Sequence, residues 1–220
     1  MGEREKSKEI LDALVIENWD NPDVLAKVMN LRYDLGEEES ASAYLNMLKQ
    51  LSPEHPNVLK MEGVLAEKTG NFQEAIALYV ASMKKDPEDM SVIRNLAQVF
   101  YRQKMWDQYI GHLRTALEHH PNDPYLLERL GSILVTCPDP AWRNTREGRD
   151  YSERAFIHTD SRSMTLVSAG RSLALAYAEL GDKQNAWSVI NMTLNVARRE
   201  NVSPGYQDEL TEIARRIQAL

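Results

Sequence analysis

The chain has 220 residues, 43% hydrophobic and 27% charged, which is the balance of a folded polypeptide rather than a disordered one. Its net charge of −7 disfavours nucleic acid as a partner, because a duplex-binding surface needs a basic excess to neutralise phosphates. The single cysteine, Cys137, excludes an intrachain disulfide, and no apolar run approaches a bilayer span, so the fold must rest on an apolar core and no membrane insertion is expected.

The charged start, Met1 to Lys6, has no apolar segment and cleavage site behind it. No signal peptide is expected, which favours the cytoplasm without fixing the localisation. The abrupt, helix-like start equally fits a piece cut from a longer protein. Residues 5–18 predict an amphipathic helix carrying Ile10, Leu11, Leu14 and Val15. It reads as a cap or as the second helix of a repeat.

From residue 22 onward the pattern repeats. Pro53, Pro87 and Pro121 recur every 34 residues, as do Gly36 and Gly70, with Lys104 at the next equivalent place. Leu25, Leu59, Ile93 and Leu127 share a phase, and so do the mostly small Met29, Gly63, Ala97 and Gly131. Apolar spacings of three and four mark one buried stripe per helix. Gly36 and Gly70 permit the left-handed backbone that ends a first helix. The prolines follow a second helix, which they cannot continue. One such pair cannot bury its own apolar face, so neighbours must stack. The predicted repeats are about 22–55, 56–89, 90–123, 124–160 and 165–200. In the fourth, Cys137-Pro138-Asp139-Pro140-Ala141-Trp142-Arg143 adds roughly five residues to the turn, and the second helix resumes near Thr145. Ser203 and Pro204 open a last helix over 204–220, with Leu210, Ile213 and Ile217 inward and Asp208, Glu209, Glu212, Arg215 and Arg216 as a solvating outer face. No alternation of period two signals a strand, and no linker divides the chain, so one all-α solenoid domain over 1–220 is expected.

At these residues the chain resembles the tetratricopeptide repeat family. Residues 56–89 carry the similarity through Gly63, Gly70-Asn71-Phe72, Glu74-Ala75, Tyr79 and Pro87. Residues 90–123 do so through Leu96-Ala97, Phe100, Trp106, Ala116 and Pro121, and depart at Lys104-Met105. Leu173-Ala174, Tyr177, Gly181-Asp182 and Ala186 fall in the same phase. The Cys-Pro-Asp-Pro insertion looks like a variant of bacterial members. The resemblance implies a right-handed solenoid with terminal capping helices, and a concave surface lined by the first helix of each pair.

Catalytic chemistry finds little support. His55, His112, His119, His120 and His158 form no metal-ligand spacing, and His119 and His120 suit the end of a helix. Phosphate-cradling glycine loops and nucleophile motifs are missing. Cys137, before Pro138, reads as a packed small residue. Trp19, Trp106, Trp142 and Trp187 read as core or inter-repeat packing rather than stacking platforms. No metal, no cofactor and no enzymatic activity are expected.

The concave positions implied by the family phase are Lys27, Asn30, Lys60, Arg94, Asn95, Gln98, Tyr101, Arg102, Arg129 and Arg171, interrupted by Glu67 and Glu128. They are more basic than the chain as a whole, which predicts an acidic or carboxylate-bearing peptide or protein partner. Some family members clamp a carboxylate with lysine, arginine and asparagine. Lys60, Asn95 and Arg129 match three of those positions, but Val64 and Tyr125 stand where asparagine and lysine are expected. The expected function is a protein-interaction scaffold. The alternative is a regulatory or substrate-recruiting segment of a larger, bacterial, membrane or secreted enzyme. Self-assembly through an end helix leaves the oligomeric state open.

Overall fold

The computed structural model describes residue 10, residues 13–160 and residues 164–220. Every regular element among them is helical. The chain separates into two compact units, Met1–Gln103 and Lys104–Leu220, within the turn of the third predicted repeat.

In the first unit, residues 13–17 are helical and Val15 joins the core, while the rest of the helix expected over 5–18, Leu11 included, lies outside the described residues. There follow α1 (Pro22–Asp34), α2 (Glu38–Leu51), α3 (Pro56–Lys68), α4 (Phe72–Lys85) and α5 (Met90–Arg102). The starts are set by caps. Asn21 Oδ1 accepts from the amides of Asp23 and Val24, and Asp89 Oδ1 accepts from Ser91 at 2.8 Å. Pro22 and Pro56 occupy first turns, where the missing N–H costs nothing. Gly36 and Gly70 take φ of +76° and +81°. There Glu37 N bonds to Arg32 O, and Asn71 N to Ala66 O, which closes the orphan carbonyls of α1 and α3. The second helices stop where Ser52 and Asp86, each before a proline, leave the helical region.

The apolar stripes then meet. Leu25, Met29, Leu45, Leu48, Val58 and Met61 form one buried cluster, each large side chain contributing about 1.5–3 kcal/mol by leaving water. At Gly63 the Tyr79 ring comes so close that an added Cβ would sit 2.6 Å from Cε1, so only glycine lets α3 and α4 approach to this distance. Ser82 Oγ also crosses from α4 to Pro56 O at 2.9 Å.

The second unit contains α6 (Trp106–His119), α7 (Pro124–Thr136), a 3₁₀ turn (Pro140–Trp142), α8 (Thr145–His158), α9 (Met164–Glu179), α10 (Lys183–Arg199) and α11 (Pro204–Ala219). Lys104, standing where earlier turns have glycine, adopts φ +57°, and Gly181 adopts +83°. Gly131 and Gly148 face each other's helices. A Cβ on Gly131 would meet Ser152 N at 2.7 Å, and one on Gly148 would meet Gly131 O at 3.1 Å. Helices α7 and α8 therefore pack backbone to backbone. The turn between them runs from Cys137 to Asn144, five residues longer than the turn from Leu35 to Glu37, and α8 begins at Thr145 as expected. The insertion is pinned: Arg143 Nε donates to Cys137 O at 2.7 Å, Asn144 N to Leu134 O at 2.8 Å, and Asp139 Oδ1 accepts from Ala141 N at 3.0 Å. Helix α11 buries Leu210, Ile213, Ala214 and Ile217 against α10 and leaves Asp208, Glu209, Arg215 and Arg216 in solvent.

Candidate functional site

In the first unit the first helices of successive pairs are neighbours. α3 packs beside α5, and Asn30 on α1 donates to Asn57 on α3 at 2.8 Å. Their shared face carries Lys27, Arg94, Gln98 and Tyr101, all exposed. Arg94, Gln98 and Tyr101 follow spacings of four and three, so they form one stripe along α5. Between α1, α3, α4 and α5 opens a cleft of about 400 Å³ lined by Tyr33, Val64, Glu67, Tyr79, Asn95 and Arg102. Glu67 is its hub. It accepts from Arg102 Nη1 at 2.7 Å and from Tyr79 OH at 3.3 Å. Burial, and then the Glu67 charge, push the Tyr79 phenol well above its ordinary pKa, so Tyr79 is a neutral donor. Arg102 also lies 5.2 Å from the Phe72 ring centroid, and Lys68 lies 5.0 Å from that of Tyr33.

Lys60 has a second task. Its ammonium lies 3.1 Å from Asp89, the N-cap of α5, and both side chains are largely buried. Burial opposes ionisation of Asp89, but Ser91 and Lys60 outweigh it and hold the carboxyl below its ordinary value. Lys60 thus ties α3 to the start of α5.

In the second unit Arg129 and Arg171 stand on α7 and α9, and each faces a carboxylate. Arg171 Nε is 2.6 Å from Glu209 on α11. Arg129 Nε is 3.5 Å from Glu128, and its guanidinium lies 5.1 Å from the Tyr125 ring centroid. Glu128 is only 4% exposed and accepts from the Ser168 hydroxyl on α9. Burial raises its carboxyl pKa against the opposing pull of Ser168, Arg129 and Arg171. Farther along the same helices the face becomes apolar. Val135, Thr136, Leu175, Ala178 and Leu220, with Arg143 and Glu179 beside them, line a second open cleft of about 440 Å³.

The ten expected side chains thus divide between two units, eight in the first and two in the second. Among them Lys60, Arg102, Arg129 and Arg171 each have a carboxylate within 4 Å. Of those carboxylates the sequence reading placed Glu67 and Glu128 on this face and missed Asp89 and Glu209, and it did not single out Tyr33, Ser168 or Arg143 there. The pairing of Glu67 with Arg102, 35 residues apart, follows from the repeat register that sets α3 beside α5. Three tryptophans depart from the expected packing: Trp19, Trp187 and Trp142 are 60%, 39% and 37% exposed. They sit in a turn, on the outer side of α10 and in the insertion.

Among the described residues no helix is long and apolar enough to cross a membrane, and no three His, Cys, Asp or Glu side chains are grouped to hold a metal ion. Cys137 is fully buried.

Residues 63–91 and residues 93–123 each match a family described as tetratricopeptide repeat. The human DnaJ homolog subfamily C member 3 is 24% identical over 139 residues, 56% of this chain, and the chain spans 26% of that relative's length. Among solved structures, that of pilF from Pseudomonas aeruginosa superposes with a TM-score of 0.72 at 18% identity, covering 96% of this chain and 90% of that one. YrrB, described as a TPR protein with an unusual peptide-binding site, superposes with a TM-score of 0.65 at 14% identity, covering 96% and 98%.

Proposed function

This chain is a tetratricopeptide-repeat protein, and from that premise we propose that it is a protein-interaction scaffold whose first-helix faces hold a segment of a partner protein. The observation that carries the reading is the cleft of the first unit. It is open, has both apolar and hydrogen-bonding walls, and is flanked on α5 by the exposed stripe Arg94, Gln98 and Tyr101. A peptide lying along it meets Asn95 and Tyr33 in the cleft and Lys27, Arg94, Gln98 and Tyr101 outside, with Asn30 held at the edge by Asn57. Exposed aromatic and arginine side chains of this kind dominate protein interfaces.

The partner segment is acidic in this reading. Lys27 and Arg94 bring charge to the exposed face, while Lys60, Arg102, Arg129 and Arg171 share a carboxylate already in place. An incoming acid must share each of those four cations with the carboxylate it already faces, which lowers what each contributes. Lys60 contributes mainly by fixing α5, and the full carboxylate clamp is not assembled within either unit alone.

The test uses peptides selected from a displayed random library on the whole chain, with affinities read by fluorescence polarisation. Arg94→Glu and Gln98→Ala together should weaken acidic peptides about tenfold or more, the equivalent of one good charged contact. Selected peptides that bind this double variant as well as the parent would remove the proposal.

A further inference from the structure

The second unit carries a feature that a regular repeat lacks, the insertion from Cys137 to Asn144 at the end of α7. The Arg143 side chain folds back to Cys137 O and Asn144 N bonds to Leu134 O, so Trp142 and Arg143 are held in a fixed turn. Arg143 also forms one wall of the apolar cleft whose floor is Val135, Leu175 and Ala178. On α9, Ser168, Arg171, Leu175 and Ala178 are spaced three, four and three, so they lie on one stripe. Along about 15 Å of that stripe the face passes from charged to apolar. At the apolar end stand two charges, Arg143 and Glu179. Both are exposed, and neither has an ion pair with a described residue. A cation and a carboxylate beside one apolar cleft, unpaired with each other, complement an occupant bearing both signs around an apolar side chain.

We infer that this cleft, walled by the insertion, docks an amphipathic helix of a partner protein, with a large apolar side chain on Val135 and Leu175, an acidic residue on Arg143 and a basic residue toward Glu179. The inference rests on the reading that first-helix faces bind protein segments, and it adds which chemistry the second unit selects. A helix in a groove presents anchors at three- and four-residue spacing, which matches the stripe on α9. The fixed turn lowers the ordering cost of Trp142 and Arg143 on binding. Arginine is among the side chains that most often dominate such contacts, and Arg143 lines this cleft.

The experiment pans a displayed library of helical peptides on the whole chain and measures each selected peptide against Arg143→Glu, Glu179→Lys, Leu175→Ser and, in the first unit, Arg94→Glu. The inference expects a class of peptides with an apolar residue flanked by an acid. Its binding falls about tenfold with Arg143→Glu, one charge-assisted contact, falls with Leu175→Ser, and is unmoved by Arg94→Glu. Replacing the peptide's acid with lysine should restore binding to Arg143→Glu. That rescue also guards against the loss of the bond from Arg143 to Cys137 being mistaken for lost contact. Peptides that respond only to Arg94→Glu uphold the general scaffold reading and overturn this inference. Peptides that need Leu175 but ignore the charge reversal overturn it as well. A library yielding no binder counts against both.

Discussion

Gly63 and Gly111 are both interior helical glycines, and the structure assigns opposite signs to their replacement by alanine. In open space, Gly→Ala within a helix gains about 0.8–1 kcal/mol from propensity. Gly111, exposed on α6, has no atom within 4 Å of the Cβ position, so Gly111→Ala should gain roughly that amount. At Gly63 the new Cβ would lie 2.6, 2.8 and 3.2 Å from three atoms of the Tyr79 ring. The ring is fully buried and its hydroxyl is held by Glu67, so relief requires α3 and α4 to part by about an ångström in a close-packed core. Overpacking of this kind costs about 1–3 kcal/mol, which outweighs the propensity gain and leaves a net loss of about 1 kcal/mol. The two variants should therefore differ by about 2 kcal/mol, with the parent between them. Urea denaturation followed by the helical circular dichroism signal reads the shift in midpoint. A Gly63→Ala variant stabilised like Gly111→Ala would refute the close approach of α3 and α4.

Other outcomes follow from single sites. Lys104 holds a left-handed backbone without being glycine, so Lys104→Gly should raise the thermal midpoint by the equivalent of about 1 kcal/mol, whereas Gly70→Ala, at φ +81°, should lower it. Asp89→Ala removes the N-cap of α5 and strands Lys60, and should cost about 1–2 kcal/mol in denaturant titration; Asp89→Asn, which keeps the cap, should cost less. Glu128 binds its proton more tightly folded than unfolded, so its ionisation weakens the fold as pH climbs from its ordinary value of 4.5 through the raised native value. Glu128→Gln should therefore melt higher than the parent at neutral pH, with the advantage shrinking on acidification and absent once Glu128 is protonated in both states; a pH-independent difference would contradict the buried-charge account.

The repeat was legible because its signals are local. A glycine or its stand-in at 36, 70 and 104, and a proline at 53, 87 and 121, set helix ends through backbone conformation alone, and all three turn positions have positive φ. The length of the insertion was likewise a matter of counting from Leu134 to Thr145. The stripe positions Arg94, Gln98 and Tyr101 came from the same register. Pairing between helices did not, because it depends on which rotamer of a long side chain meets which neighbour. Lys60 had two plausible directions, into the open face or back to the cap of the next helix, and Asp89 decides it. Glu128 reads in sequence as a surface acid, and only the approach of α9, bringing Ser168 over it, shows it buried. The tryptophans misled for a related reason: size predicts burial on average, yet Trp187 occupies the outer side of α10, where the inner stripe is already filled by Ala186 and Ile190.

The reading that first-helix faces bind the partner is tested most directly by where a bound peptide touches the chain. A photo-crosslinking residue is placed at Gln98 on α5 or, separately, at the exposed Met192 on the second helix α10, and irradiated with a peptide selected on the parent protein. Crosslinks at 98, lost when unlabelled peptide competes, and none at 192 are the predicted result. Competed crosslinks at 192 with none at 98 would place the partner on the opposite helices and contradict it.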